Sequence, residues 1–457
     1  MQVIETRTER GQPCLIIDGR RYKRRKGRKP WLCCNNKCNA KAFVMGGNVE
    51  RLEGVHTCAS MTEQQVQRKQ LINAVKRKAE DNRDAQPSKL VCRELRTGTY
   101  TLLDTRDTRR ASECVGYERR KVYPQLALSV DHTIEILRGL NITTEKGEQF
   151  CFVREDGTII YTTKENLSML GKCAIILIDG TFNYAPRHFK QFYTIHGFID
   201  GHYVPLAFVP LNCKYTKTYN NMWDYIFALS LDLTGQIPQP KIVLVDFEDA
   251  AHASIREWFP NADIHGCRFH FHQNFIKHIH ANAQLRDAFS ETDSEQGKWL
   301  HAFFGLSMLP PDMVPDAFLT LIEYQDSEWP AAFTVFADYV TDTYVSDTAR
   351  YPPEIWARDP TSSDPRTTNA AESFHRHFND SFRGAHPNIH HLTETLLDIQ
   401  AGTHVKFNSI RRGIPARRDP QVTDRYFRAC AAYGELLRGE RSMYRYLKFM
   451  GFLFKKK

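Results

Sequence analysis

Apolar and polar positions alternate along this chain in distinct rhythms, and each rhythm predicts an element. CAIILID (173–179) is continuously apolar and ends in an acid, the pattern of a buried strand. QFYTIHGFIDGHYVPLAFVPL (191–211) has two β-rich arms that meet at Asp200-Gly201, which predicts a hairpin. YNNMWDYIFALSLDL (219–233) predicts a helix with Trp223, Ile226, Phe227 and Leu231 toward the core. KIVLVD (241–246) is a second buried strand ending in an acid. A helix over 248–259, a short strand over 262–266 and a helix over 267–279 follow it. Upstream, 148–163 reads as a hairpin turning at Asp156-Gly157. In 61–81, Leu71, Ile72, Val75 and Ala79 form one helical stripe with Lys and Arg opposite. Near the start, Cys14–Ile17 and Ala42–Met45 are short strands separated by Gly and basic turns.

Three consecutive antiparallel strands, then helix, strand, helix and strand, make an α/β core of ribonuclease H-like order, assigned to 171–280 and 356–400. KWLHAFFGLSML and DAFLTLIEYQ predict an α-helical insertion over 281–355. Residues 1–58 form a small β-rich domain, and 59–170 form a basic, mainly helical DNA-binding connector with the hairpin. Residues 401–457 form a basic helical C-terminal region. Trp356 near the insertion's exit packs either into the core or against DNA bases or hairpin ends.

With 457 residues, 42% of them hydrophobic and 25% charged, the chain has an ordinary globular composition, which excludes wholesale disorder. The absence of long apolar runs excludes membrane and secretory readings. Charge is uneven. Residues 1–58 hold 13 Lys and Arg against 5 Asp and Glu, and 59–130 hold 15 against 9; of the total of +9 this leaves −5 for everything after position 130. A basic front end suits polyanion binding, although a solvated basic surface gives the same count. The run Arg20, Arg21, Lys23, Arg24, Arg25, Lys26, Arg28 and Lys29, with Tyr22 and Trp31, suits DNA phosphates, nuclear import or both. The basic stretch 106–123 is a second helical unit on DNA or a solvated face.

A domain as short as 1–58 has a small core and needs a staple. Its cysteines supply one: Cys33-x4-Cys38 and, further along, His56-x-Cys58 make the ligand set of a closed tetrahedral Zn²⁺ site, with Cys34 competing for the place of Cys33. Asp179 and Asp246 end strands that would be neighbours in such a sheet, although either acid alone could be a loop residue or the N-cap of the next helix. Two such carboxylates repel unless a cation binds them, and hard oxygen ligands with open positions select Mg²⁺ or Mn²⁺. Glu372, near the start of a helix capped by Thr368 or Asn369, is either a third ligand or an acid favoured by the helix dipole. Cys267 and His270 lie at i, i+3 on one helix face, too few for a closed zinc site. His270 is structural or positions the scissile phosphate, while His272 and His278 are surface or packing residues.

Gly19, Tyr22, Trp31, Cys33 and Cys38 follow the order of the FLYWCH zinc finger, which residues 1–58 resemble, with Cys58 where that family usually has His. Residues 171 to about 385 resemble the catalytic domain of Mutator-like (MULE) transposases, a DDE family. The matching pieces are Asp179-Gly180-Thr181-Phe182, Asp246-Phe247-Glu248-x-Ala250, Gly266-Cys267-x-Phe269-His270-Phe271 and Thr368-Asn369-x-x-Glu372-Ser373. Asn369-Ala370 departs from the two Asn of many members. No Cys-x-Cys…Cys-x-His cluster follows, so the SWIM finger of some relatives is absent. The resemblance implies a metal-binding triad of Asp179, Asp246 and Glu372, with Cys267 and His270 as the accompanying Cys-x-x-His pair.

The expected function is a DNA transposase that cuts and joins strands at element ends by two-metal phosphoryl transfer. Mg²⁺ or Mn²⁺ would be catalytic and Zn²⁺ structural. Its partners are double-stranded DNA, as terminal inverted repeats and target, and a second copy of the chain, with no membrane and a nuclear location. The alternative is a domesticated, transposase-derived DNA-binding regulator that does not cut.

Overall fold

A computed structural model describes residues 3–7, 12–24, 30–81, 86–122, 126–362, 369–382, 384–416 and 420–454, without the side chains of 7, 80–81, 119–122 and 369–373. The chain forms two units, Met1–Leu126 and Ala127–Lys457. Arg25, Lys26, Arg28 and Lys29 lie outside the described residues, as does the side chain of Glu372.

Unit 1 begins with a six-stranded antiparallel meander: β1 (Val3–Arg7), β2 (Pro13–Ile17), β3 (Arg20–Arg24), β4 (Trp31–Cys33), β5 (Lys41–Met45) and β6 (Asn48–Glu53). Part of the basic run is thus not a turn but strand β3, paired with β2 and β4. Asp18 and Gly19 both take positive φ (47° and 71°), the two-residue turn that matches the twist of a hairpin. Beyond it Tyr22 is buried between Arg21 and Lys23, so one inward aromatic in a period-two pattern suffices to hold a charged strand. Helices α1 (Glu63–Asp81), α2 (Pro87–Thr97) and α3 (Thr105–Val122) follow. They pack through Leu71, Val75, Ala79, Leu90, Ala111 and Val115. Arg68 of α1 pairs with the fully buried Asp107 of α3. Lys76 and Lys78 are likewise spoken for, by Glu118 and Glu94, each at 2.6 Å.

Unit 2 is built on a seven-stranded mixed sheet. Its elements, in chain order, are α4 (Val130–Arg138), β7 (Cys151–Val153), β8 (Ile159–Tyr161), α5 (Lys164–Leu170), β9 (Ile175–Thr181), β10 (Gln191–Ile199), β11 (His202–Leu211), α6 (Thr216–Thr234), β12 (Ile242–Val245), α7 (Asp249–Trp258) and β13 (Asp263–Gly266). The spatial order is β13-β12-β9-β10-β11-β8-β7, parallel from β13 to β9 and antiparallel beyond. The β10–β11 hairpin turns where expected, at Asp200 and Gly201, with φ of 49° and 80°. One face of the sheet packs on Tyr219, Met222, Trp223 and Ile226 of α6, with Ile255 of α7.

A helical body adjoins the sheet within this unit: α8 (Arg268–Ala281), α9 (Ala283–Ser290), α10 (Glu295–Gly305), α11 (Val314–Glu323), α12 (Ala331–Val340) and α13 (Pro353–Trp356). Then come α14 (Asn369–Asp380), α15 (Ile389–Arg411), α16 (Pro420–Leu437) and α17 (Met443–Leu453). Residues of α16 and α17 share one aromatic-rich core with the 271–357 helices. Trp356 belongs to that core and does not face DNA. It is 3% exposed, its ring stacks on Phe271 at 4.4 Å, and its Nε1 donates to the carbonyls of Tyr344 and Tyr351. His272 and His278 also pack, His272 against Ser307 and His278 stacked on Tyr339.

Helices α10 and α17 cross at glycines. A Cβ on Gly305 would come within 2.3 Å of the Leu447 carbonyl oxygen, and one on Gly451 within 1.9 Å of the His301 carbonyl oxygen. These are backbone atoms in a packed interior, so the helices themselves would have to part. Gly451→Ala is expected to destabilise the fold by about 1–3 kcal/mol, the cost of overpacking, read as a lower melting temperature.

Candidate active site and metal centre

The register of the central strands sets the two acids side by side. Leu177 of β9 pairs with Leu244 of β12 in parallel, and two residues beyond each lie Asp179 and Asp246. Asp179 is 4% exposed, whereas the Asp246 side chain is 45% exposed. Both face a cleft lined also by Phe182, Gln191, Tyr193 and Glu248. Each carboxylate accepts the next residue's N–H: Gly180 on Asp179 Oδ1 at 2.9 Å and Phe247 on Asp246 Oδ1 at 2.6 Å. His252 Nε2 lies 2.8 Å from the Asp246 carbonyl oxygen and fixes its backbone.

A single imidazole spans the gap between the acids. His270, in the first turn of α8, has Nε2 3.9 Å from Asp179 Oδ1 and Nδ1 3.6 Å from Asp246 Oδ1. Burial works against its charge, but Cys267 and the two carboxylates outweigh burial and raise the imidazole to about 10. Cys267 itself is fully buried at the N-cap of α8. A protonated His270 would offset the charge of the two adjacent carboxylates.

Behind Asp179 stands a chain that sequence reasoning missed. His375 Nδ1 lies 3.1 Å from Asp179 Oδ2, and His375 Nε2 lies 3.0 Å from Thr194 Oγ1. Thr194 sits directly opposite Asp179 in the β9–β10 register, donates to its carbonyl oxygen at 3.2 Å and also meets His196 Nε2 at 3.1 Å. Burial pushes the Asp179 carboxyl up, yet the His375 hydrogen bond and the nearby His270 hold it below its ordinary value. Burial above all drives His196 down to about 3, so it is neutral. The available signals were polar residues two apart in an otherwise apolar strand, and a Glu-x-x-His spacing over 372–375.

His375 rides on α14, which also carries position 372 one turn earlier. That helix is held to the sheet by stacked aromatics, Phe378 on Phe192 at 5.1 Å and Phe374 on Phe208 at 5.8 Å between centroids. Glu248, at the N-cap of α7, accepts from Lys214 Nζ at 3.1 Å and from Tyr219 at 2.8 Å.

In unit 1 the four expected zinc ligands, Cys33, Cys38, His56 and Cys58, come together with all ligand atoms within 4.8 Å of one another. Cys33 Sγ is 3.6 Å from Cys58 Sγ, and His56 Nδ1 is 3.3 Å from Cys38 Sγ and 3.5 Å from Cys58 Sγ. Zn–S bonds of about 2.3 Å and Zn–N bonds of about 2.0–2.1 Å put tetrahedral ligand atoms about 3.5–3.8 Å apart, so the residues fit zinc. The outer ring nitrogen of His56 meets the Tyr22 hydroxyl at 2.6 Å, an outer partner that orients the ligand. A hydrogen bond from the Ala40 backbone leads in holding the Cys38 thiol down at about 6, while burial pushes Cys33 up to about 12. Cys34 is excluded from the cluster: its Sγ lies 3.9 Å from Cys14 Sγ instead.

The family model for the MULE transposase domain matches residues 175–274, and that for the FLYWCH zinc finger domain matches residues 5–57. The chain carries a FLYWCH zinc finger ahead of a MULE transposase domain. No curated protein matches the chain. The MULE domain match runs from β9 into α8, so it contains Asp179, Asp246, Cys267 and His270 but stops short of Glu372 and His375. The FLYWCH match takes in Cys33, Cys38 and His56 and ends one residue before Cys58. A zinc finger with this Cys₃His set supports a structural Zn²⁺, and the two domains together point to DNA as a partner.

Proposed function

We propose that this chain is a DDE-type DNA transposase that cuts and joins strands at element ends. The observation that carries this reading is the pair Asp179 and Asp246, level with each other on adjacent parallel strands and spanned by His270 at the floor of a cleft. The strand order β11-β10-β9-β12-β13, antiparallel across the first three and parallel across the last three, supports a ribonuclease H-like core. Helices between α8 and α14 then stand as its insertion.

The donor set suits Mg²⁺ or Mn²⁺: hard oxygens, one of them deeply buried and already below its ordinary pKa. Divalent cations held by Asp179, Asp246 and Glu372 would lower the pKa of an attacking water or DNA 3′-hydroxyl and stabilise the leaving oxygen. The protein's own part is positional. Gly180 N–H and His375 orient the Asp179 carboxylate, so its ionised form is fixed before substrate arrives. His270 is placed beside both carboxylates, where a scissile phosphate would come, and its protonated form would attract that phosphate. Position 372 reaches the same side of the sheet through α14, the helix that delivers His375.

Arg20, Arg21, Lys23 and Arg24 lie on strand β3 of the zinc finger, Arg24 exposed and the other three half-buried, and would grip DNA phosphates. Arg25, Lys26, Arg28 and Lys29 extend that charge in sequence and double as a nuclear import signal. The proposed partners are double-stranded DNA, as terminal inverted repeats and target, and a second copy of the chain to hold paired ends. Among the described residues no helix is long and apolar enough to cross a membrane.

The test is Mg²⁺-dependent cutting of duplexes that carry the element's terminal repeats. Glu372→Gln is expected to remove cutting while DNA binding persists. Cutting that survives both Glu372→Gln and Asp246→Asn would refute this site. Firm DNA binding with no cutting by the native chain would mark a domesticated regulator.

A further inference from the structure

A second set of ligand atoms lies in unit 2, where the 142–150 loop, α5 and α15 meet. Glu148, Glu165 and His404 bring one ligand atom each to within 4.8 Å of the others. His404 Nε2 is 3.8 Å from Glu148 Oε2 and 3.6 Å from Glu165 Oε2, and its side chain is only 5% exposed. On the other ring edge, Nδ1 lies 2.7 Å from Glu145 Oε1.

The hydrogen bonds around His404 settle which nitrogen bears the proton. Asn166 Nδ2 donates to the Leu206 carbonyl oxygen at 3.0 Å, which fixes the orientation of the Asn166 amide. Asn166 and Gln400 then pair reciprocally, Nδ2 to Oε1 at 2.8 Å and Nε2 to Oδ1 at 2.9 Å. This turns the Gln400 amide N–H toward His404 Nε2, at 3.1 Å. An N–H facing Nε2 requires a lone pair there, so the ring proton sits on Nδ1, bound to Glu145. The Nε2 lone pair that accepts from Gln400 also lies within 3.8 Å of two carboxylate oxygens, one of which, Glu148 Oε2, is buried with no hydrogen-bond partner, and a cation there would take that lone pair over from the Gln400 N–H. Arg411 binds the far oxygen of Glu165, and Lys146 Nζ approaches Oε2 at 3.5 Å. Against three glutamates these two cations leave the cluster negative.

A carboxylate on one ring nitrogen, with the other facing acids, is the arrangement that orients histidine ligands in metal sites. We propose that Glu148, Glu165 and His404 bind a divalent transition cation of the Zn²⁺ class, with Glu145 as the positioning carboxylate. Imidazole among the donors favours Zn²⁺ over Mg²⁺. The ion would tie the loop ahead of β7 to α5 and α15. It is separate from both the finger's cysteine cluster and the carboxylates beside His270.

The test counts zinc per chain in the full-length protein after exhaustive dialysis. Glu148→Gln and His404→Gln should each lose one ion, and that loss should add to the loss caused by Cys58→Ala. Glu145→Gln should keep the ion with affinity about 10- to 100-fold weaker against a competing chelator. Melting in chelator shows whether Glu148→Gln folds as the native chain does. If it does not, Glu145→Gln decides: weakened affinity supports the site and unchanged affinity overturns it. An unchanged zinc count in both Glu148→Gln and His404→Gln would also overturn it, leaving His404 as a buried hydrogen-bonding residue only.

Discussion

Asp179→Asn is expected to slow strand cutting by at least about 10³-fold, because cation stabilisation of a phosphoryl transition state is worth several kcal/mol and each 1.36 kcal/mol is tenfold. The substitution is nearly isosteric. The asparagine carbonyl can still accept from Gly180 N–H, while its amide N–H takes the place of the oxygen facing His375 Nδ1, which can accept it with the ring proton on Nε2 toward Thr194, so the fold should persist and loss of cutting will report chemistry rather than collapse. DNA affinity should change little, since the phosphate-gripping residues belong to the other unit. His375→Ala provides a graded companion. It removes the hydrogen bond that holds the buried Asp179 carboxyl below its ordinary pKa, so more Mg²⁺ should be needed for half-maximal rate. A merely structural His375 would lower melting temperature without moving that Mg²⁺ requirement. Cutting by Asp179→Asn within tenfold of the native rate would remove this carboxylate from the mechanism.

Cys58→Ala is expected to unfold the finger. Structural zinc in small fingers contributes about 10–16 kcal/mol of apparent binding energy at neutral pH, far more than a core as small as Leu15, Ile17, Tyr22 and Ala42 supplies. The expected readouts are loss of one zinc per chain, rapid proteolysis confined to the finger, and weaker DNA binding with a shallower salt dependence. Cys34→Ser is the control. Cys34 turns to Cys14 on the other side of the strand, so zinc and DNA binding should remain. Retention of zinc by Cys58→Ala, or its loss in Cys34→Ser, would exchange the assigned ligand.

The elements of unit 2 were legible because apolar period is a local property. The strands around 175–181 and 242–245, and the turns at Asp156-Gly157 and Asp200-Gly201, fall where the rhythm puts them. Strand β3 was not legible, since four cations around one tyrosine carry no apolar alternation. The zinc ligands were legible from spacing, but the choice between Cys33 and Cys34 was not. Successive residues on a strand face opposite sides, and only the pairing of Cys33 with the inward Tyr22 decides it. The two aspartates end recognisable strands, yet that they stand level depends on a parallel register between segments far apart along the chain. His375 and Thr194 left only a spacing in the sequence, and their roles were not legible for the same reason: they arise from α14 docking on the sheet through Phe374 and Phe378. Trp356 could be read two ways until its burial showed which surface covers it.

The glycine-to-backbone crossing of α10 and α17 has a further implication for biosynthesis. Trp299, Phe303 and their neighbours complete their packing only against Tyr446, Leu447 and Met450, which leave the ribosome only after more than a hundred further residues have been made. Until then the nascent helical body presents an open aromatic face. Chains stalled or truncated before α17 should therefore accumulate on chaperones, while the sheet and its paired aspartates, already translated, can form beforehand.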